Sequence, residues 1–256
     1  MELLYEKKEH IALFTLNRHE VFNALSPELF KQLHDAFEDF AQDPELWVGV
    51  ITGAGEKAFC AGADVKTWLP FVKECRHKPW LLPTTPMRGM ELDKPLIAAI
   101  NGVVMGGGLE TALACDLRIA SEKARFGFPE ARLGILPRLG GTVRLPRLVG
   151  SAWAAQMMLT GKPIDAQTAL AIGLVNQVVP PEQVLETAMA LAQDICQCAP
   201  LAVQAIKKSM RRTEGMSFDE ALWCENALGM PLYDTEDYQE GRKAFVEKRP
   251  PKFQAK

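Results

Sequence analysis

The sequence predicts an α/β protein, layered from strands and helices, with a helical C-terminal portion. Three observations predict it. Apolar strand-like runs alternate with a helical pattern over the first half; helix follows helix from Ser151 onward; and Gly106, Gly107 and Gly108 stand where a buried run turns into a helix. Alternating strands and helices build layered folds whose functional groups gather where strand ends turn into helices.

In chain order, IALFTLN (residues 11–17) alternates as a half-buried strand does. SPELFKQLHDAFEDFAQD follows as a helix, with Ser26 as its cap, Pro27 at its first position, and Leu29, Leu33, Phe37 and Phe40 at helical spacing. WVGVITGAG (47–55) is a short apolar strand ending in glycines. The stretch 72–95 has three prolines before Pro95, mixed polarity and Trp80. It reads as a long loop or broken helix, either a pocket wall or a surface insertion. LIAAINGVV (96–104) predicts one strand buried on both sides, running into the glycines, and LRIAS (117–121) and ARFG (124–127) predict further strand pieces. SAWAAQMMLTG, DAQTALAIG, PPEQVLETAMALAQDICQCAP, LAVQAIKKSMRR, SFDEALWCENALG and DTEDYQEGRKAFVEKR then predict successive helices. Helices this apolar need a partner surface, either the strand core or another subunit.

Composition narrows the function classes. With 256 residues, 48% hydrophobic and 24% charged, the chain is of ordinary globular make-up. A net charge of -3 gives no general attraction for nucleic acid or an anionic membrane. The one concentrated basic run, Lys207 to Arg212 (KKSMRR), reads as a solvated helix face or a subunit contact, since a nucleic-acid patch needs more basic neighbours. Cys60, Cys75, Cys115, Cys196, Cys198 and Cys224 form no C-x-x-C pair, and the histidines are scattered, so neither a metal site nor a disulfide framework is expected. No run reaches the roughly 18 apolar residues of a membrane span, and MELLYEKKEH is unlike a signal or transit peptide. The expectation is a soluble, reduced, cytoplasmic protein.

The glycines carry the chemical question. Each gives up about 1 kcal/mol relative to alanine inside a helix, so three together imply a close approach to the backbone. Either strand and helix pack tightly there, or a ligand oxygen reaches the amide of Gly107 at a helix start, where developing negative charge is favoured. AFCAGADVK (58–66) offers a second accessible amide, that of Ala63. Glu110 and Glu130 each fall near a predicted helix start, where a carboxylate is also favourable for the dipole alone. If both faced one cavity, their titrations would be coupled and one could stay protonated while the other is ionised.

AFCAGADVK, KPLIAAINGVVMGGGLETALACDLRIASEKARFGFPEARLGILP, GGTVRLPRLVG, LTGKPIDAQTALAIGLVNQVV and AFVEKRPPKF occur in that order. On these motifs the sequence resembles the crotonase family of enoyl-CoA hydratases and isomerases over essentially its full length. The resemblance implies a crotonase-like spiral of ββα units over residues 1–198, and a helical trimerisation region over 199–256. It implies an acyl-CoA substrate, no metal or redox cofactor, no nucleic acid or membrane partner, and a homotrimer or a homohexamer built as a dimer of trimers.

The resemblance also assigns residues. The Ala63 and Gly107 amides would form the oxyanion hole for a thioester carbonyl. Ala61, Ala63, Asp64, Val65, Lys66 and Gly107 would line the thioester and pantetheine path, and Glu110 and Glu130 would be the catalytic pair of a hydratase. An isomerase works with a single base, and thioester hydrolases, dehalogenases and noncatalytic CoA- or RNA-binding relatives lie further away. The sequence departs from many hydratases at Arg138 and Leu139, where a glycine and an alanine are usual. Arg138 could pair with Glu130 or point outward.

Overall fold

The strand-like runs divide between two sheets in the computed structural model, which describes residues 1–256. β1 (Leu3–Lys8) and β2 (Ile11–Leu16) form an antiparallel hairpin. Helix α1 (Pro27–Gln42) follows; the Ser26 hydroxyl caps it by accepting from the Leu29 amide, and Leu29, Phe30, Leu33, Phe37 and Phe40 are buried.

The chain then repeats one pattern three times, with a strand in the larger sheet, a strand in the smaller and a helix. The units are β3 (Val48–Gly53), β4 (Ala58–Cys60) and α2 (Trp68–Glu74); β5 (Leu96–Ile100), β6 (Val103–Met105) and α3 (Gly107–Leu113); β7 (Leu117–Ser121), β8 (Arg125–Gly127) and α4 (Gly141–Thr160). β9 (Ile164–Asp165), α5 (Ala166–Ala171) and β10 (Gln177–Val179) complete the sheets. The larger runs β1-β2-β3-β5-β7-β10 and the smaller β4-β6-β8-β9. In the smaller sheet β4, β6 and β8 are parallel neighbours, so their C-terminal ends lie side by side. This is the ββα spiral that the resemblance implied.

Several boundaries differ from the sequence reading. Residues 96–104 are two strands in different sheets, because the chain turns at Asn101 and Gly102; a Cβ on Gly102 would lie 2.3 Å from the Lys57 carbonyl oxygen. The helices after Ser151 are interrupted by β9 and β10, and β1 lies in the stretch where no strand is expected from the sequence. The predicted helix at 151–160 continues from GGTVRLPRLVG as α4, broken at Gly150, whose φ of 79° favours glycine. In the irregular stretch, α2 gives way to two short 3-10 turns, Cys75–His77 and Pro79–Leu81, and Trp80 is largely exposed.

Four further helices follow. α6 (Val184–Cys196) covers the larger sheet, packing Val184, Ala188 and Ala192 against Val48, Val50 and Ile97. α7 (Pro200–Arg212), α8 (Phe218–Gly229) and α9 (Glu236–Glu247) bury far less; α8 buries none of its residues, and Phe218, Trp223 and Phe245 stand exposed.

The basic run on α7 is neither a free solvated face nor an open anion patch. It meets an acidic counterpart within the same chain: Lys208 Nζ lies 3.0 Å from Asp93, Arg211 lies 2.9 Å from Asp93 and 3.2 Å from Glu91, and Lys207 lies 2.7 Å from Asp116. Complementary charge on residues 91–93 therefore fastens α7 to the body. Asp93→Asn, which removes the shared acceptor, should lower stability by about 1 kcal/mol at low ionic strength and by less in high salt. Denaturant titrations at the two ionic strengths check this.

Candidate active site

Three successive units each deliver one element of the site at the same edge of the smaller sheet. Ala63 comes three residues after β4 ends, Gly107 two residues after β6 ends, and Glu130 three residues after β8 ends. Parallel pairing of these strands brings together groups far apart in sequence.

The first two elements are amides. As the first residue of α3, Gly107 has no acceptor for its N–H in its own helix. A Cβ on Gly107 would sit 3.7 Å from the Ala63 nitrogen, and one on Gly62 would sit 3.5 Å from the Gly107 nitrogen. The Ala63 amide makes no backbone hydrogen bond, although its neighbours Gly62 and Asp64 are both tied to Leu25. Two amides from different units thus stand close together without a backbone acceptor.

The glycines divide the labour. Gly106 has a φ of 49°, and a Cβ there would lie 2.6 Å from Glu130 Oε1. Gly108 packs against β4, where a Cβ would be 2.2 Å from the Cys60 carbonyl oxygen. Tight packing therefore accounts for Gly106 and Gly108, against Glu130 and β4 respectively.

The carboxylates are buried. Glu110 is 2% exposed and its Oε1 accepts from the Leu139 and Gly141 amides, each at 2.7 Å. Burial pushes its carboxyl up to about 7; the charge of Glu130 adds to the rise, while the two amides and Arg144 oppose it. Glu130, 8% exposed, is raised above the ordinary range by burial, and its buried Oε2 has no partner in the chain. A buried acceptor without a donor is costly unless a ligand or water completes it.

The remaining expected residues fall in the same loop with different surroundings. Asp64 turns into the fold, 3.1 Å from Arg18 Nη2; burial alone would raise its carboxyl, but the Arg18 and Lys66 donors bring it below the usual range. Ala61 is partly buried and its amide donates to Phe22, whereas Val65 and Lys66 are exposed. Arg138 is exposed and leaves Glu130 unpaired, so the outward reading holds; the buried member of the unusual pair is Leu139. No three His, Cys, Asp or Glu side chains converge as a metal site.

Sequence reasoning missed the Leu139 and Gly141 amides, and also Arg144. The available signal was a second pair of glycines, Gly140 and Gly141, at the start of another helix.

The model of the enoyl-CoA hydratase/isomerase family matches residues 6–256. The chain belongs to the enoyl-CoA hydratase/isomerase family. It is 44% identical to the (E)-benzylidenesuccinyl-CoA hydratase of Thauera aromatica over 254 residues, 99% of either chain. It is 41% identical to the short-chain-enoyl-CoA hydratase of Clostridium acetobutylicum, over 96% of this chain and 95% of that one. Among solved structures, the enoyl-CoA hydratase from Bacillus anthracis superposes with a TM-score of 0.94 at 37% identity, covering 100% of both chains.

Proposed function

We propose that the chain adds water reversibly across the 2,3 double bond of a short- or medium-chain enoyl-CoA thioester. The observation that carries this reading is two buried carboxyls, both raised by burial above the ordinary carboxylate range, in a site with two amides that have no backbone acceptor. The Ala63 and Gly107 N–H groups donate to the thioester carbonyl oxygen, which draws electron density from the double bond and makes the β-carbon electrophilic. Glu110 takes a proton from water as its oxygen bonds to that carbon. The resulting enolate collapses as Glu130 gives its proton to the α-carbon. Dehydration runs the same steps backward with acid and base exchanged.

One proton shared by two carboxyls suits this division, because the productive form has one ionised and one neutral. As pH falls below about 7, Glu110 is protonated and the base is lost. kcat/KM should therefore decline on the acid side of neutrality, measured with crotonyl-CoA from the loss of its conjugated absorbance. The scheme calls on no metal or redox group.

Ala61, Asp64, Val65 and Lys66 form the wall along which the pantetheine runs, with Asp64 acting through Arg18 to hold the loop. The exposed Phe218, Trp223 and Phe245 of residues 199–256 suit a subunit interface in a homotrimer or a dimer of trimers, of a cytoplasmic enzyme. No helix is long and apolar enough to cross a membrane. Turnover of an acyl panel that includes crotonyl-CoA and (E)-benzylidenesuccinyl-CoA tests the reaction and its substrate range. Absence of hydration throughout the panel defeats the reading.

A further inference from the structure

The turn that holds Glu110 is itself held. Arg144, on the first turn of α4, is half-buried, and its Nη1 donates to the Leu139 carbonyl at 3.0 Å and to the Met87 carbonyl at 3.1 Å. Its Nη2 donates to the Pro86 carbonyl at 3.0 Å. The guanidinium therefore joins the turn at 139–141 to the end of the irregular stretch, where Met87 is buried and its sulfur accepts from Thr111 on α3 at 3.0 Å. Gly140 between the two clamping amides has a φ of 106°, and a Cβ there would lie 1.8 Å from Arg144 Nη1. Glycine is needed at that point for the guanidinium to reach its carbonyls.

We propose that Arg144 is a positioning residue for Glu110, fixing the turn whose Leu139 and Gly141 amides grip one carboxylate oxygen and so aiming the other at the water. The inference rests on the base role given to Glu110 above. The planar fork suits this task better than an ammonium, since it reaches three carbonyls in fixed directions. The charged groups facing Glu110 are Glu130, which raises its carboxyl, and Arg144, which lowers it. Loss of Arg144 removes the opposing charge and loosens both amides, so the two effects act in the same direction.

The test uses Arg144→Met and Arg144→Lys in the full chain, with the Glu110 carboxyl followed by carbon-13 NMR against pH alongside steady-state kinetics. In Arg144→Met, kcat should fall about 10- to 100-fold with little change in KM, as expected for a misaimed base. The Glu110 titration should move up by about one pH unit. Arg144→Lys retains the cation but cannot bridge three carbonyls, so it should recover part of both. Should Arg144→Met fail to fold, Arg144→Lys decides alone: a lower kcat with a raised titration supports the proposal. Folded variants with wild-type kcat and an unmoved Glu110 titration overturn it. A wild-type chain inactive on every thioester would instead defeat the hydratase reading, while the NMR titration still reports on Arg144.

Discussion

Glu110→Gln and Glu130→Gln are each expected to lower kcat by about 10²- to 10⁴-fold, the usual range for a positioned proton-transfer group. Each replacement keeps the shape of the side chain and removes the ability to hold or release the proton. The effects should be far from additive, because one proton serves the pair. Glu110→Gln should also have a stability effect of the opposite sign. A carboxyl raised from an ordinary value to about 7 by burial favours the folded state fully only below its unfolded pKa, and that contribution is lost as pH rises through about 7. Glutamine still offers an oxygen to the Leu139 and Gly141 amides without a charge to bury. The variant should therefore gain up to about 1–3 kcal/mol over wild type at pH 8, with less gain at pH 5. Urea denaturation at the two pH values checks it, and equal stabilities at pH 8 would contradict the buried charge.

Gly107→Val is expected to abolish most turnover through the amides. A Cβ at this position would already be 3.0 Å from Leu25 Cδ1 and 3.7 Å from the Ala63 nitrogen. Two further methyls would crowd the Ala63 and Gly107 N–H groups, which on the proposed reading receive the thioester oxygen. Losing one oxyanion donor costs about 10²- to 10³-fold in kcat, and a blocked pair should cost at least that. Gly107→Ala should fall between valine and wild type, because Leu25 can yield at the far end of its side chain. Circular dichroism and the melting midpoint separate this outcome from misfolding.

Much of the frame was legible because its signals are local. Ser26, Pro27 and the spacing of Leu29, Leu33, Phe37 and Phe40 define α1 without reference to anything distant. β1 escaped because it is an edge strand with one face in solvent, and Glu6, Lys7 and Lys8 interrupt its apolar alternation. β9 and β10 span two and three residues, too few for any period to register. The division of 96–104 into strands of separate sheets turns on the approach of Gly102 to Lys57, a contact that no apolar count can register.

The site was legible in kind and opaque in detail for the same reason. Glycines at a helix start and acids among small residues mark the residues of the candidate site. That Ala63, Gly107 and Glu130 share one edge follows from the pairing of β4, β6 and β8, a long-range fact. The match between Lys208 and Asp93, 115 residues apart, turned a suspected surface patch into an internal fastening.

If Ala63, Gly107 and Glu130 act as proposed, their delivery by consecutive coils has an evolutionary corollary. Each loop can diverge while the rungs beneath it stay fixed, so a descendant that exchanges the acid after β8 for another side chain inherits an intact cradle for the thioester. Inventing a new reaction on this framework then takes a few point changes at one rim, with the cost of building an anion grip already met by its ancestor.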